Sequence, residues 1–523
     1  MTEDQKDFEK LRAGLTHPRA YPHPVERVDE IETHISLVLL AGDYAYKLKK
    51  PVSLGFLDFS TLSRRRFYCD EEMRLNRRLA ASIYLNVEAI SGPAERPRIG
   101  GAGEAIEYAV KMRRFPQEAL LDRQAPTPGL IDRLAALVAR FHDAIPIAAR
   151  DSGYGSRPAV IGPMRENFVH IRPRLARADQ DRGDRLATWT EQRAVACGAR
   201  IDARREAGRV RECHGDMHRG NIAVVDGEIV VFDAIEFNPD LRWIDTISEV
   251  AFLVMDLEEG GYARLARRFL NRYLQLGGDY DALPLLDLYK VYRAMVRAKV
   301  IAIRLGQDQV AAGESARERR ALERYLALAE GFTRPTKPLL ILTHGVSGSG
   351  KSWLATALLD VLDAVHVRSD IERKRLFGLS PEADSTVIGD IYTSEASQRT
   401  YARLLDVARA ALNAGPHVIV DAAFLRRSQR KPFLELAAML ERPCRILSVS
   451  ASAPELRQRL VARRSAGRDP SEADLDVLER QLASREPLDD AELRQAIEVD
   501  TSAQPKLEEL AMRLLAGGAA DDL

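Results

Sequence analysis

Residues 345–352 read Gly-Val-Ser-Gly-Ser-Gly-Lys-Ser, the pattern G-x-x-x-x-G-K-S. Gly345, Gly348 and Gly350 release the backbone so that successive N–H groups, those of Ser347 and Ser349 among them, can wrap phosphate oxygens. Lys351 suits the outer phosphates, and the Ser352 hydroxyl suits a Mg²⁺ ion. The flanks turn the pattern into a mechanism. An apolar run, residues 339–343, precedes it as a strand, and residues 353–359 continue it as a helix.

A second set lies upstream. His214-Gly215-Asp216 is followed by Asn221, and a short hairpin pattern over 222–232 delivers Asp233. Phosphoryl transfer needs a carboxylate to orient the attacking hydroxyl and oxygen ligands for magnesium. Asp216 fits the first role, and Asn221 and Asp233 the second. His214 and His218 read as hydrogen-bonding supports, not proton shuttles.

A third set follows the glycine loop. Arg368-Ser369-Asp370-Ile371-Glu372-Arg373 puts an acid and a base at the carboxyl end of a strand pattern, where ligands of open α/β sheets bind. Asp421 ends another apolar strand there. Arg463, Arg464 and Arg468 cluster around Gly467.

These residues need scaffolding, and the chain supplies two kinds. Strand patterns at 35–40, 44–49, 87–90 and 107–112, with a helix over 61–79, make the first hundred or so residues β-rich; helices dominate from 130 to 142 and from 244 to 330. Pro335 and Pro338 mark 333–338 as an extended linker. Beyond it, strands at 339–343, 364–368, 416–420 and 445–450 alternate with helices, the signature of a parallel sheet. The 523 residues exceed one core, and 46% hydrophobic with 29% charged residues is ordinary globular composition. Lys+Arg and Asp+Glu are both 77, which argues against a chain built mainly to coat nucleic acid. Four scattered cysteines suggest neither a disulfide framework nor a zinc site. The charged N-terminus and the lack of a long apolar run predict a cytoplasmic protein with no membrane partner and no obligate protein partner.

The 214–233 segment resembles the aminoglycoside phosphotransferase family, whose loop reads HGDxHxxN. The resemblance covers roughly residues 30–300. It implies a two-lobed, protein-kinase-like α+β fold over 1–332, with an N-lobe of about 30–112 and a C-lobe of about 113–332. It also implies a strand lysine paired with a helix glutamate. Lys47 and Lys49 both fit, as do Glu71 and Glu72, with Lys47 and Glu72 favoured. Ala109–Arg113 resembles the lobe-connecting hinge, and Asp245 resembles an aspartate that braces the catalytic loop. No glycine-rich loop of the protein-kinase type is present.

Residues 339–523 resemble the P-loop kinases, an α/β parallel-sheet NTPase fold. That resemblance implies Asp421 as a Walker B acid and Arg463, Arg464 and Arg468 as a lid. The spacing of Asp370 and Arg373 resembles a polynucleotide kinase, in which the aspartate activates the acceptor hydroxyl and the arginine contacts the acceptor phosphate. The whole chain resembles a two-domain bacterial fusion of these modules. It implies a bifunctional kinase using Mg²⁺ and ATP, or GTP. One site would take a small hydroxylated acceptor, the other a metabolite or nucleic-acid hydroxyl. The alternative is that only the P-loop domain is catalytic and the first is a regulatory or ligand-binding module.

Overall fold

The computed structural model describes residues 3–54, 57–305, 312–383, 391, 393–466 and 475–516. Within these, the chain forms two compact units: Met1–Thr127, Arg140–Val169 and Gly198–Asp256 in the first, and Pro128–Ala139, His170–Cys197 and Leu257–Leu523 in the second.

The first unit is built on an antiparallel sheet of β1 (Val28–Glu32), β2 (Ser36–Ala41), β3 (Tyr44–Lys49), β4 (Tyr84–Ser91), β5 (Arg98–Ile99) and β6 (Ala105–Arg113), in the order β1-β2-β3-β6-β4-β5. Side chains alternate across it. Leu37 and Leu39 of β2 and Tyr46 and Leu48 of β3 pack with Phe8, Leu11 and Leu15 of the first helix. The same alternation turns Lys47 and Lys49 to the other face, toward helix Leu62–Ala80. That helix is capped by Thr61, whose hydroxyl accepts from Arg64 N at 3.3 Å. Its Cys69 and Met73 pack with Val110 of β6 and with Ala223 and Val230.

The remaining strands of this unit are β7 (Val210–Glu212), β8 (Ile222–Val225), β9 (Glu228–Val231) and β10 (Trp243–Asp245). β8 and β9 form the expected hairpin. Its turn residues Asp226 and Gly227 both have positive φ, 52° and 81°, which matches the twist of the flanking strands. β1 is a strand that no sequence pattern announced. One expectation, the lobe-connecting hinge, is corrected. Ala109–Arg113 is the end of β6, hydrogen-bonded to β3 and β4, so the chain leaves the sheet only at Arg114.

The second unit holds a parallel sheet of β11 (Leu340–His344), β12 (Ala364–Arg368), β13 (His417–Asp421), β14 (Cys444–Ser450) and β15 (Ala496–Asp500), in the order β12-β13-β11-β14-β15. β11, β12 and β13 are almost continuously buried, as parallel strands with both faces covered must be. Only β15 escaped the sequence reading.

Segment 333–338 contains no helix, as its prolines dictate. Compact packing nevertheless does not divide there. Helix Ala263–Gly277 lies along the free edge of β12. Asn271 Oδ1 accepts from His366 N at 2.7 Å, and Asn271 Nδ2 donates to Ala364 O at 2.9 Å. Gln275 Nε2 donates to His366 O at 3.4 Å, and Arg267 donates to Leu359 O at 2.9 Å. An edge strand carries unpaired amides and carbonyls that must be satisfied or covered. Here side chains from upstream of the linker satisfy them.

Asn271→Ala should therefore strand one buried N–H and one buried C=O, lowering stability by about 1–3 kcal/mol. Denaturant midpoints of the full chain check this. A fragment of residues 339–523 should likewise be less stable than one of residues 257–523.

Candidate active sites

In the first unit, β3 and helix Leu62–Ala80 bring two lysines to one glutamate. Lys47 Nζ lies 2.9 Å from Glu72 Oε1, and Lys49 Nζ donates to Glu72 Oε2 at 2.8 Å. Lys47 also pairs with Asp233, and Lys49 with Glu236. The two lysines are not equivalent. Lys49 is fully buried, with Phe59 under its ammonium at 5.0 Å, while the Lys47 side chain keeps 13% exposure. Lys47 thus faces the site, and Lys49 ties the strand to the chain beyond Asp233. Glu71 pairs instead with Arg74, at 2.8 Å. Burial pushes the Glu72 carboxyl up, but Lys47 and Lys49 together outweigh it and hold it down to about 2. Glu236 is a participant the sequence reading did not single out. Its only signal was a position three residues past Asp233.

The loop 213–221 is fixed from below. Glu249 Oε2 accepts from Gly215 N at 2.6 Å and its Oε1 meets His142 Nε2 at 2.9 Å. Asp256 Oδ2 accepts from both Arg219 N and Arg219 Nε at 2.9 Å. Asp245, expected as the brace, is gripped by Arg204 through two 2.7 Å bonds, so the loop's braces are Glu249 and Asp256. Gly215 needs φ +89°, and a Cβ there would meet Leu241 O at 2.8 Å.

His214 and His218 are both held by hydrogen bonds, and their tautomers follow from their partners. His214 Nδ1 accepts from Asp216 N at 3.3 Å, so Nε2–H donates to Phe232 O at 2.9 Å; burial lowers its pKa. His218 Nδ1 accepts from Gly220 N at 3.1 Å, which leaves Nε2–H toward Asp216 Oδ2, 3.5 Å away.

Asn221 Nδ2 donates to Asp216 Oδ2 and to Asp216 O, both at 3.0 Å. That fixes the amide's orientation and assigns the oxygen as its remaining polar atom. Asp233 sits at φ 64°, a strained backbone for a residue with a Cβ, held by Tyr84 Oη accepting from Asp233 N at 3.2 Å and Asn76 Oδ1 accepting from Ala234 N at 2.9 Å. Asp216 and Asp233 stay open, with side chains 35% and 45% exposed. An amide oxygen and an open carboxylate, beside a lysine already drawn to that carboxylate, are hard oxygen donors suited to Mg²⁺.

In the second unit, Gly345, Gly348 and Gly350 adopt φ of 147°, 86° and 89°. A Cβ on Gly345 would lie 2.3 Å from Val449 O, so the loop closes only with glycine there. Lys351 Nζ donates to Val346 O at 2.8 Å. Ser347 N donates to Gln481 Oε1 at 2.7 Å, and Thr501 Oγ1 donates to Ser349 O at 2.8 Å. Asp421 ends β13 beside this loop, opposite Arg368 of β12. Burial raises its pKa, but His366, Arg368 and Ser352 more than reverse that and keep it ionised. His366 Nε2 meets Asp421 Oδ2 at 3.2 Å with both residues buried. Sequence reasoning missed His366; its one signal was that it alternates with Arg368 along β12. Ser352 is among the groups that keep the buried Asp421 ionised, and a hydroxyl with a buried carboxylate is a donor set that fits a Mg²⁺ held partly through water. His344 is pushed down to about 4 by burial and then by Arg430 and Lys351, so it stays neutral near pH 7 in a cationic setting.

Asp370 and Arg373 lie on helix Ser369–Leu376 at the carboxyl end of β12. Asp370 is half-buried, whereas Arg373 is buried and donates to Ile391 O at 3.2 Å and Ser397 Oγ at 3.3 Å. Arg463 and Arg464 fall on helix Ala453–Ala466, but their side chains, like all of Arg468, lie outside the described residues.

Comparison with known proteins finds a separate family profile on each part of the chain. The profile of the phosphotransferase enzyme family matches residues 62–286, and that of an AAA domain matches 340–488. Proteins of Mycobacterium bovis and Mycobacterium tuberculosis, described as uncharacterized, are 31% identical over 459 residues, spanning 86% of this chain and 89% of each relative. The chain belongs to their family, which fuses a phosphotransferase module to a P-loop module. It is an ATP-dependent kinase. Among solved structures, an amicoumacin kinase in complex with AMP-PNP and Ca²⁺ is similar at 17% identity and TM-score 0.40, covering 62% of this chain and 94% of that one. A sugar kinase from a Janibacter species is similar at 24% identity and TM-score 0.26, covering 35% and 95%. No helix among the described residues is long and apolar enough to cross a membrane.

Removing the buried cation should hurt the fold, and removing the open one should hurt chemistry. Lys49→Ala leaves Glu72 and Glu236 without their shared partner and should cost about 3–5 kcal/mol of stability. Lys47→Ala should cost less stability and more phosphoryl transfer; unfolding curves and initial rates check the contrast. Glu72 also sets a pH window. Its folded value of about 2 lies below the usual 4.5, so its contribution is complete above pH 4.5 and lost as pH falls toward 2. Glu72→Gln should flatten acid unfolding in that window.

Proposed function

We propose that this kinase has two phosphoryl-transfer sites, both dependent on Mg²⁺ and using ATP, or GTP, in the cytoplasm. The first acts on a small hydroxylated acceptor and the second on a metabolite or nucleic-acid hydroxyl. The observation that carries the first half is the convergence of Lys47, Glu72, Asp216, Asn221 and Asp233 in one unit. A disused site has no reason to keep a strained Asp233 paired with a lysine. The turn between β1 and β2 contains no glycine, which favours the alternative of a regulatory or ligand-binding module, so the two readings meet on a direct test.

In the first site, Asp216 accepts the proton of the acceptor hydroxyl and orients its oxygen toward the terminal phosphate. His218 and Asn221 fix that carboxylate. Lys47 binds phosphate oxygens, and Asn221 and Asp233 would hold the metal. Magnesium, when bound, neutralises the charge of the transferring phosphoryl group. In the second site, Asp370 takes the role of base. Lys351 binds the outer phosphates, and Ser352 and Asp421 would hold the metal. Arg373 would contact an acceptor phosphate, and the resemblance to P-loop kinases gives Arg463, Arg464 and Arg468 the role of a lid over the transferring phosphate.

Asp216→Ala should abolish transfer at the first site while leaving nucleotide binding within a fewfold, and Asp233→Ala should weaken Mg²⁺-nucleotide binding. Lys351→Ala should lower second-site turnover by roughly a hundredfold or more, since one well-placed charge on a transferring phosphoryl group is worth several kcal/mol of barrier. A phosphate-transfer screen with metabolite and oligonucleotide pools, run on the full chain and the three variants, measures this. First-site transfer that survives Asp216→Ala would overturn the assignment.

A further inference from the structure

Helix Leu475–Ser484 is seated on the glycine loop. Leu478 packs with Val346 of the loop and with Leu425, Leu456 and Leu460, and Leu482 adds to the same cluster. From this helix Gln481 reaches Ser347 N at 2.7 Å. Because Ser347 N is a donor, the accepting atom must be the carboxamide oxygen, which assigns the nitrogen to the other side of the group. The neighbouring loop residue fixes where this contact lies. Val346 O holds Lys351 Nζ at 2.8 Å, and Lys351 is the cation that serves the outer phosphates. Gln481 and Lys351 therefore rest on adjacent loop residues, Ser347 and Val346.

We propose that Gln481 is a nucleotide-specificity residue that recognises the terminal phosphate of a nucleoside triphosphate. This rests on the P-loop site described above and goes beyond it by distinguishing triphosphate from diphosphate. With Oε1 anchored on Ser347 N, Nε2 offers two N–H donors to a terminal phosphate oxygen. Helix Leu475–Ser484 is then held against the loop more firmly by ATP than by ADP. Product release is eased by the same difference, because loss of the terminal phosphate removes the acceptor that Nε2 uses.

The test uses the full chain. Trp353 follows Ser352 directly and is 51% exposed, so the part of the fluorescence change that depends on it reports on this site. A Trp353→Phe control defines that signal. ADP and the non-hydrolysable β,γ-imido analogue of ATP are titrated against the wild-type protein, Gln481→Ala and Gln481→Glu. Gln481→Ala should weaken the triphosphate analogue roughly tenfold, the worth of one hydrogen bond to a charged group, and change ADP by less than twofold. Gln481→Glu should weaken the analogue further, because a carboxylate repels the phosphate. Equal loss of both nucleotides would reduce Gln481 to a structural prop and overturn the proposal. Tighter binding of either nucleotide to Gln481→Ala would also overturn it, since Gln481 would then be a plug. A wild-type chain that fails to bind ADP would instead refute the P-loop reading, a distinct result.

Discussion

Glu72 is the fully buried carboxylate around which the first site is assembled. A buried charge is tolerated only when opposite charge and hydrogen bonds replace the lost water. Two lysines from one strand supply that charge, and each carries a second acid, Asp233 or Glu236, into contact. The result links β3, helix Leu62–Ala80 and the segment after β9 through one alternating set of charges. Removing the central carboxylate would release both lysines and the two acids at once.

The second site obeys the same rule with different parts. Asp421 is buried and ionised beside His366, Arg368 and Ser352. His366 belongs to β12, whose outer backbone is held by Asn271 and Gln275. A parallel sheet needs cover on both faces and at its edges. Here the edge cover comes from a helix inside the region matched by the phosphotransferase profile. The boundary between the matched regions and the boundary between compact units therefore differ. The first follows shared ancestry of segments, the second follows which polar backbone groups had to be satisfied.

The local chemistry was legible in order along the chain. Asp216, Asn221 and Asp233 are spaced by a loop and a hairpin whose Asp226-Gly227 turn the sequence announces, and the structure brings them together. The glycine loop was legible because positive φ at three positions leaves glycine as the residue that fits. Less visible were β1, whose residues Val28–Glu32 are mostly charged, and β15, whose exposed Glu498 and Asp500 alternate with buried Ile497 and Val499 at the sheet edge. Glu236, Glu249, Asp256, His366 and Gln481 carried no motif at all. Their roles arise from long-range contacts, which sequence spacing does not encode.

The sequence by itself determined the two module types, the catalytic loop, the phosphate loop and the face of β3 that carries both lysines. It did so because strand period, turn chemistry and the needs of phosphoryl transfer act over short stretches of chain. Tertiary structure alone decided which lysine is buried and which faces the site. It also made Glu72 rather than Glu71 their partner, and it set Glu249 and Asp256 under the loop where Asp245 had been expected. The reason is that charge pairing in a low-dielectric interior depends on which elements meet, and helices and strands tens to hundreds of residues apart meet only in the folded chain.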